Sequence, residues 1–254
     1  SPQPTSSDNI YVYNDAELTV DVSTAECASI YIGYESGPYK GEGTLEFVKN
    51  SQLTVFSVNG VTVGSPSYEG ELNMDKGGTL NTPSINVINA NSEFKAGKGT
   101  LVFTGNNTLP DEFLVYNHII INGGITELSA NIAINGNITI AGTLDVSPLS
   151  REISINGNWI NNGAFISRNG KVIFAGGKNQ VIGGSNNTDF YSFEMNKKKG
   201  VFLSAGVNVY NQLELTEGIL YTDSINYLTI KPLTVTLGGS DESYIDGLIN
   251  IETD

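Results

Sequence analysis

Two stretches of this chain, IAINGNITI at residues 132–140 and ISINGNWI at residues 153–160, carry almost the same reading. Ile132 falls on Ile153, Ile134 on Ile155, Asn135 on Asn156, Gly136 on Gly157 and Asn137 on Asn158, a constant offset of 21 residues. The match continues with Gly142 on Gly163 and Leu144 on Phe165. Apolar residues alternate inside each copy, the period of a strand with one buried face. A fixed spacing near twenty, built from such alternation, predicts a β-solenoid in which each repeat is one coil lying on the last. The expected fold class is all-β: a right-handed parallel β-helix of roughly ten to twelve coils, at about 20–25 residues per coil.

Longer matches point the same way. FKAGKGTLVF (94–103) matches FISRNGKVIF (165–174) at an offset of 71. Ile132, Ile134, Ile138 and Ile140 also fall on Val207, Val209, Leu213 and Leu215, at an offset of 75. The drift between these offsets predicts an insertion of four residues, placed in a loop where the stacked core is undisturbed.

The same alternation recurs along the chain, as in Leu18-Val20-Val22, Ile30-Ile32, Leu53-Val55 and Ile119-Ile121. Helical periodicity is not sustained over any ten residues. The 29 glycines and the many asparagines suit the corners between short strands, because both tolerate positive φ. Stacked coils place like residues above one another, so Asn135 with Asn156 and Asn137 with Asn158 are candidates for amide ladders. Residues 1–254 read as a single β-helix segment. Residues 1–9 form a Pro/Ser-rich lead-in, 36–43 a Gly/Pro loop, and 65–83 a weakly patterned stretch expected to carry an inserted loop. The start, Ser1-Pro2-Gln3-Pro4, fits a processed product, and GLINIETD is still strand-like, so a fragment of a longer chain is expected.

Asp and Glu number 27 against 13 Lys and Arg, a net charge of −14. Such a chain is repelled by phosphate backbones, which excludes nucleic acid as an expected partner. The basic run Lys197-Lys198-Lys199 reads as a solvated corner. The lone Cys27 forms no intrachain disulfide and lies between apolar alternations, as a small buried hydrophobe does. A catalytic thiol needs a basic partner, and the one histidine, His118, is far away in sequence. No apolar run reaches eighteen residues, so no transmembrane segment is expected.

Few residues carry chemistry. The acidic turn holding Asp241, Glu242 and Asp246 is the best local candidate for Ca²⁺, a hard cation that takes oxygen ligands; no other cofactor is expected. Tyr31, Tyr34 and Tyr39 gather around one loop and offer faces on which a glycan could stack. There is no HExxH, no CxxC, no P-loop and no repeated calcium motif.

Several segments resemble a known style of sequence. GNWINNGAF (157–165), GKVIFAGGKNQVIGG (170–184) and FYSFEMNKKKGVFLSAGVNVYNQLELTEGILYT (190–222) are similar to repeat-rich surface proteins of Bacteroidota exported by the type IX secretion system. The start, at residues 4–33, and ESYIDGLINIET, at 242–253, resemble them too; residues 65–91 and 105–118 depart from the pattern. The resemblance implies a right-handed β-helix and an extracellular or cell-surface location. It also implies the outer-membrane secretion machinery as a partner, and a separate C-terminal sorting domain. It further implies that Asp223-Ser224-Ile225 can carry an O-linked sugar on Ser224. The expected function is a non-catalytic secreted or cell-surface stalk or adhesin segment with a glycan or surface ligand. The rival is a carbohydrate-active β-helix, a lyase or hydrolase, or a dedicated glycan-binding module.

Overall fold

In the computed structural model, which describes residues 3–253, the chain is all-β, its parallel strands stacked as a β-solenoid of about 12 turns. No described residue is helical, so no helix is long and apolar enough to cross a membrane. The chain forms two compact units, Ser1–Thr126 and Glu127–Asp254.

The first unit has three faces. Asn9–Val12, Ser29–Ile32, Val61–Val63 and Ile85–Val87 pair in that order on the first face. Ala16–Val20, Gly43–Phe47, Gly70–Asn73 and Glu93–Lys95 pair on the second. Ala25–Cys27, Gln52–Val55, Thr79–Thr82, Thr100–Phe103 and His118–Ile121 pair on the third. Alternation turns every second side chain inward, so stacked coils bury continuous aliphatic columns. Ile30, Val61 and Ile85 form one; Leu53, Leu80, Leu101 and Ile119 form another. Each buried side chain is worth about 1.5–3 kcal/mol over its exposed state. Cys27 is fully buried opposite Val55, and burial pushes its thiol up to about 12.

Coil length is not constant in this unit. Leu18, Leu45 and Leu72 are stacked partners, 27 residues apart at each step, yet Leu72 to Phe94 takes 22. The extra residues lie in corners, where length changes leave the columns intact. Residues 65–83 are not one inserted loop. Past the turn at 65–69 they supply Gly70–Asn73 and Thr79–Thr82, with Leu72 on Leu45 and Leu80 on Leu53. The weak pattern came from the inward Thr82, a buried polar residue whose hydroxyl donates to Ser84 O at 2.8 Å. In the lead-in, Asp8 accepts from the amide and the hydroxyl of Thr5, both at 2.8 Å, and Asn9 already begins a strand; Ser1 and Pro2 lie outside the described residues.

In the second unit the 21-residue repeat is the stacking register itself. Ile132 pairs with Ile153, Ile138 with Trp159 and Leu144 with Phe165. The 75-residue match is different. The column of Ile132 runs through Ile153, Val172 and Phe193 to Leu213, whereas Val207 stacks between Thr188 and Leu228 on another face. That match is a likeness of pattern and not of position, so the four-residue insertion it implied is not needed.

The asparagine ladders form in a mixed way. Asn156 Nδ2 donates to Asn135 Oδ1 at 3.1 Å, amide on amide. Asn137 Oδ1 instead accepts from the backbone N–H of Asn158 at 2.8 Å, and Asn158 Oδ1 from that of Val181 at 2.9 Å. These corner amides partner N–H groups that the strand ladder leaves over.

The basic run is corrected in part. Lys198 and Lys199 are exposed, but Lys197 is only 2% exposed. Its ammonium donates to the carbonyl of Lys178 and to Oε1 of Gln180, whose own amide donates to Ile155 O at 3.0 Å and Gly157 O at 2.6 Å. With no carboxylate among these partners, burial pulls the Lys197 amine down to about 8.

Candidate binding surface

The first face of the first unit carries a cluster of five tyrosines. In Asn9–Val12 and Ser29–Ile32 the inward positions are Val12, Ile30 and Ile32, so alternation turns Tyr11 and Tyr31 outward. The two are register partners, and their rings stack 5.0 Å apart at 10°.

After Ile32 the chain leaves the coil as a small antiparallel hairpin, Tyr34–Ser36 against Tyr39–Gly41. Two glycines release it. A Cβ on Gly33, at φ +73°, would lie 2.1 Å from Glu69 O, and one on Gly41, at φ +138°, would lie 2.6 Å from Asn14 N. Only a residue without a side chain fits either place. Tyr34 sits opposite Gly41 and Tyr39 opposite Ser36, which puts both tyrosines on one hairpin face; Glu35 and Lys40 share the other.

That tyrosine face folds onto the coil. Tyr34 lies 4.5 Å from Tyr11 and 5.9 Å from Tyr31, and Tyr13 joins at 6.5 Å from Tyr34 and 5.9 Å from Tyr39. Each such ring pair contributes about 0.5–1.5 kcal/mol beyond area burial. Tyr11 is 42% exposed and Tyr39 58%, and the other three are half-buried. None of the five hydroxyls has a protein hydrogen-bond partner among the described residues. The result is a partly exposed aromatic platform.

Tyr31, Tyr34 and Tyr39 are therefore brought together as the sequence indicated, and the hairpin forms within the expected Gly/Pro loop. Tyr11 and Tyr13 were missed. The signal for Tyr11 was available, because it precedes Tyr31 by 20 residues, one coil.

The corner beside the platform is acidic. Gly43 and Gly70 open the second-face strands, each pressed on a carbonyl of the coil below (Val12 O and Ile32 O). Around them Asp15, Glu42, Thr44, Glu69, Glu71 and Glu93 line a groove of about 210 Å³. Lys95 bridges Glu71 at 2.8 Å and Glu93 at 3.5 Å. Asp15, Glu42 and Glu69 have no ion-pair partner among the described residues.

The other expected residues stay apart. Asp241 and Glu242 lie in the turn before Ser243–Asp246, where Gly218 N donates to Glu242 O at 3.3 Å and Thr222 N to Asp246 O at 2.9 Å. Among the described residues, no three His, Cys, Asp or Glu side chains group so as to hold a metal ion, and Asp241, Glu242 and Asp246 are not brought together in such a group. Ser224 is exposed at the tip of a turn in which Asp223 accepts from Ile225 N and Asn226 N, both at 2.7 Å. These backbone donors, Asn226 first, hold the Asp223 carboxyl below its usual range. No family model, curated protein or solved structure matches the chain.

Proposed function

We propose that this protein is a non-catalytic, secreted or cell-surface β-solenoid that binds glycans through the Tyr11–Tyr13–Tyr31–Tyr34–Tyr39 platform, as an adhesin or stalk segment. The observation that carries the reading is the platform itself. Five tyrosines cluster on an outward face, partly exposed and with unpartnered hydroxyls, beside a hairpin that interrupts the coil. A coil that needed only stacking would not need that hairpin. Tyrosine suits glycans because its face packs on C–H groups while its hydroxyl meets sugar hydroxyls. The resemblance to type IX secretion substrates of Bacteroidota supports an extracellular setting, with Ser224 as an accessible acceptor for O-linked sugar. The net charge of −14 and the polar corner loops suit a body that stays dispersed outside the cell.

The test is a glycan array with the purified protein, run beside turnover assays on the same polysaccharides. Binding without cleavage, lost in Tyr11→Ala/Tyr39→Ala, supports the reading. Cleavage overturns the non-catalytic part and favours the lyase or hydrolase alternative. No binding by the parent protein overturns the glycan part.

A further inference from the structure

We infer that the tyrosine platform selects glycan chains bearing free amino groups over neutral and acidic chains. The inference rests on the platform being a glycan surface, and adds the chemical class of its ligand.

Ring geometry fixes how a ligand approaches. Neighbouring ring centroids lie 4.5–6.5 Å apart, the distance of rings in direct contact. Nothing fits between them, so the platform is not a cage around a small cation. A ligand must lie across it and present a flat face to several rings. A pyranose chain does this.

Local charge then sorts such chains. The first unit holds five lysines against fourteen Asp and Glu, and no arginine; Arg151 and Arg168 both belong to the second unit. An acidic sugar needs a guanidinium or ammonium to receive its carboxylate or sulfate. The one lysine of the hairpin, Lys40, lies on the face away from the tyrosines, opposite Glu35. Meanwhile Asp15 and Glu42 are exposed at the platform's corner, joined by a hydrogen bond from Asp15 N to Glu42 O at 2.9 Å. Both carboxylates lack an ion-pair partner among the described residues, and each is within three residues of a platform tyrosine. Unneutralised carboxylates repel a uronate and attract an ammonium. Tyrosine faces add to this, since a cation over a ring is favoured by the ring quadrupole. The protein makes that contact itself in the second unit, where Lys231 Nζ lies 5.8 Å from the centroid of Tyr210.

The experiment is calorimetric titration with three oligomers of similar length: N-acetylglucosamine, its fully de-N-acetylated form, and galacturonate. At low salt the deacetylated oligomer is expected to bind about tenfold tighter than the acetylated one. High salt should shrink that difference to about twofold, as screening requires. Asp15→Asn/Glu42→Gln, at two exposed positions, should abolish the preference while leaving affinity for the acetylated oligomer unchanged. Galacturonate should not bind. Equal binding of the two glucosamine oligomers, a preference that survives the double variant, or tight galacturonate binding overturns the inference and leaves the glycan reading standing. Failure of all three oligomers, together with a blank glycan array, overturns both.

Discussion

Arg168 clamps Asp145 with two hydrogen bonds, Nε to Oδ1 at 2.9 Å and a terminal nitrogen to Oδ2 at 2.6 Å. The pair ties one coil of the second unit to the next, and Asp145 is buried while the Arg168 side chain is 43% exposed. Asp145 Oδ1 also accepts from Ser147 N at 2.9 Å. The Arg168 hydrogen bonds hold the Asp145 carboxyl below its usual range, with some opposition from burial.

A carboxyl whose folded pKa is depressed stabilises the fold above its unfolded value, near 3.9, and loses that contribution as pH falls through the folded value. Arg168→Gln is therefore expected to lower stability at neutral pH, and only modestly because the arginine is well solvated. Below about pH 4 the variant and the parent should converge. Thermal melts from pH 7 to pH 3 check this; a gap that widens in acid would contradict it.

Lys197 predicts the opposite end of the pH scale. Its amine titrates near 8 in the fold against 10.5 when unfolded, so between those values the unfolded chain holds more protons. The lysine's contribution is complete above about 10.5 and falls as pH drops towards 8. Lys197→Met lacks this titration. The difference in unfolding free energy, parent minus variant, should rise as pH increases across that window and stay flat below it. The steepest rise a single proton allows is about 1.4 kcal/mol per pH step of one. Urea unfolding of both proteins at several alkaline pH values gives the difference, and a flat one would show that the ammonium is solvated in the fold.

How much of this was legible varied with the physical scale. Inward Ile, Val and Leu at alternate positions announced the strands, and Ile132 on Ile153 announced the coil. The faces were not legible. All three sides of a coil share the same apolar alternation, so Ile132 matches Val207 in pattern as well as it matches its true column partner Leu213. Of the platform, Tyr31, Tyr34 and Tyr39 stood out because they are close in sequence, while Tyr11 needed the coil period to be applied first. Lys197 was misread from its charge. Strict alternation gave the better answer, since Phe193, Met195 and Lys197 follow at every second position and all three are buried.

Gly33 predicts a coupling between backbone and platform. Alanine there would carry φ +73° and press its Cβ against Glu69 O at 2.1 Å. The left-handed conformation costs about 1 kcal/mol and the backbone clash adds to it, for a total loss of about 2–4 kcal/mol. Because the hairpin leaves the coil at this residue, Gly33→Ala should also weaken glycan binding in protein that remains folded. Gly37→Ala, at the hairpin tip with open space around it, is expected to cost only the backbone term and to leave binding close to normal. Circular dichroism melts and titrations on the pair separate the two effects; equal losses in both variants would remove the special role of Gly33.

Trp159 is the only tryptophan, and it lies at the centre of the second unit's core. It stacks between Ile138 and Ile182, with Phe165 at 4.8 Å, Phe190 at 5.4 Å and Phe174 at 6.4 Å. Its indole nitrogen is buried without a hydrogen-bond partner among the described residues. An unpaired buried donor costs about 1–3 kcal/mol, which opposes the gain from burying so large a ring. Trp159→Phe removes the orphaned N–H and part of the ring volume together, so the two effects offset and the variant should lie within about 1 kcal/mol of the parent. Trp159→Ala leaves a cavity among these aromatic and aliphatic neighbours and should cost about 3–5 kcal/mol. Denaturant unfolding followed by circular dichroism, which needs no tryptophan signal, measures both. A phenylalanine variant as damaged as the alanine one would mean that the indole N–H is satisfied by a buried water, and that the polar atom is part of what holds this core together.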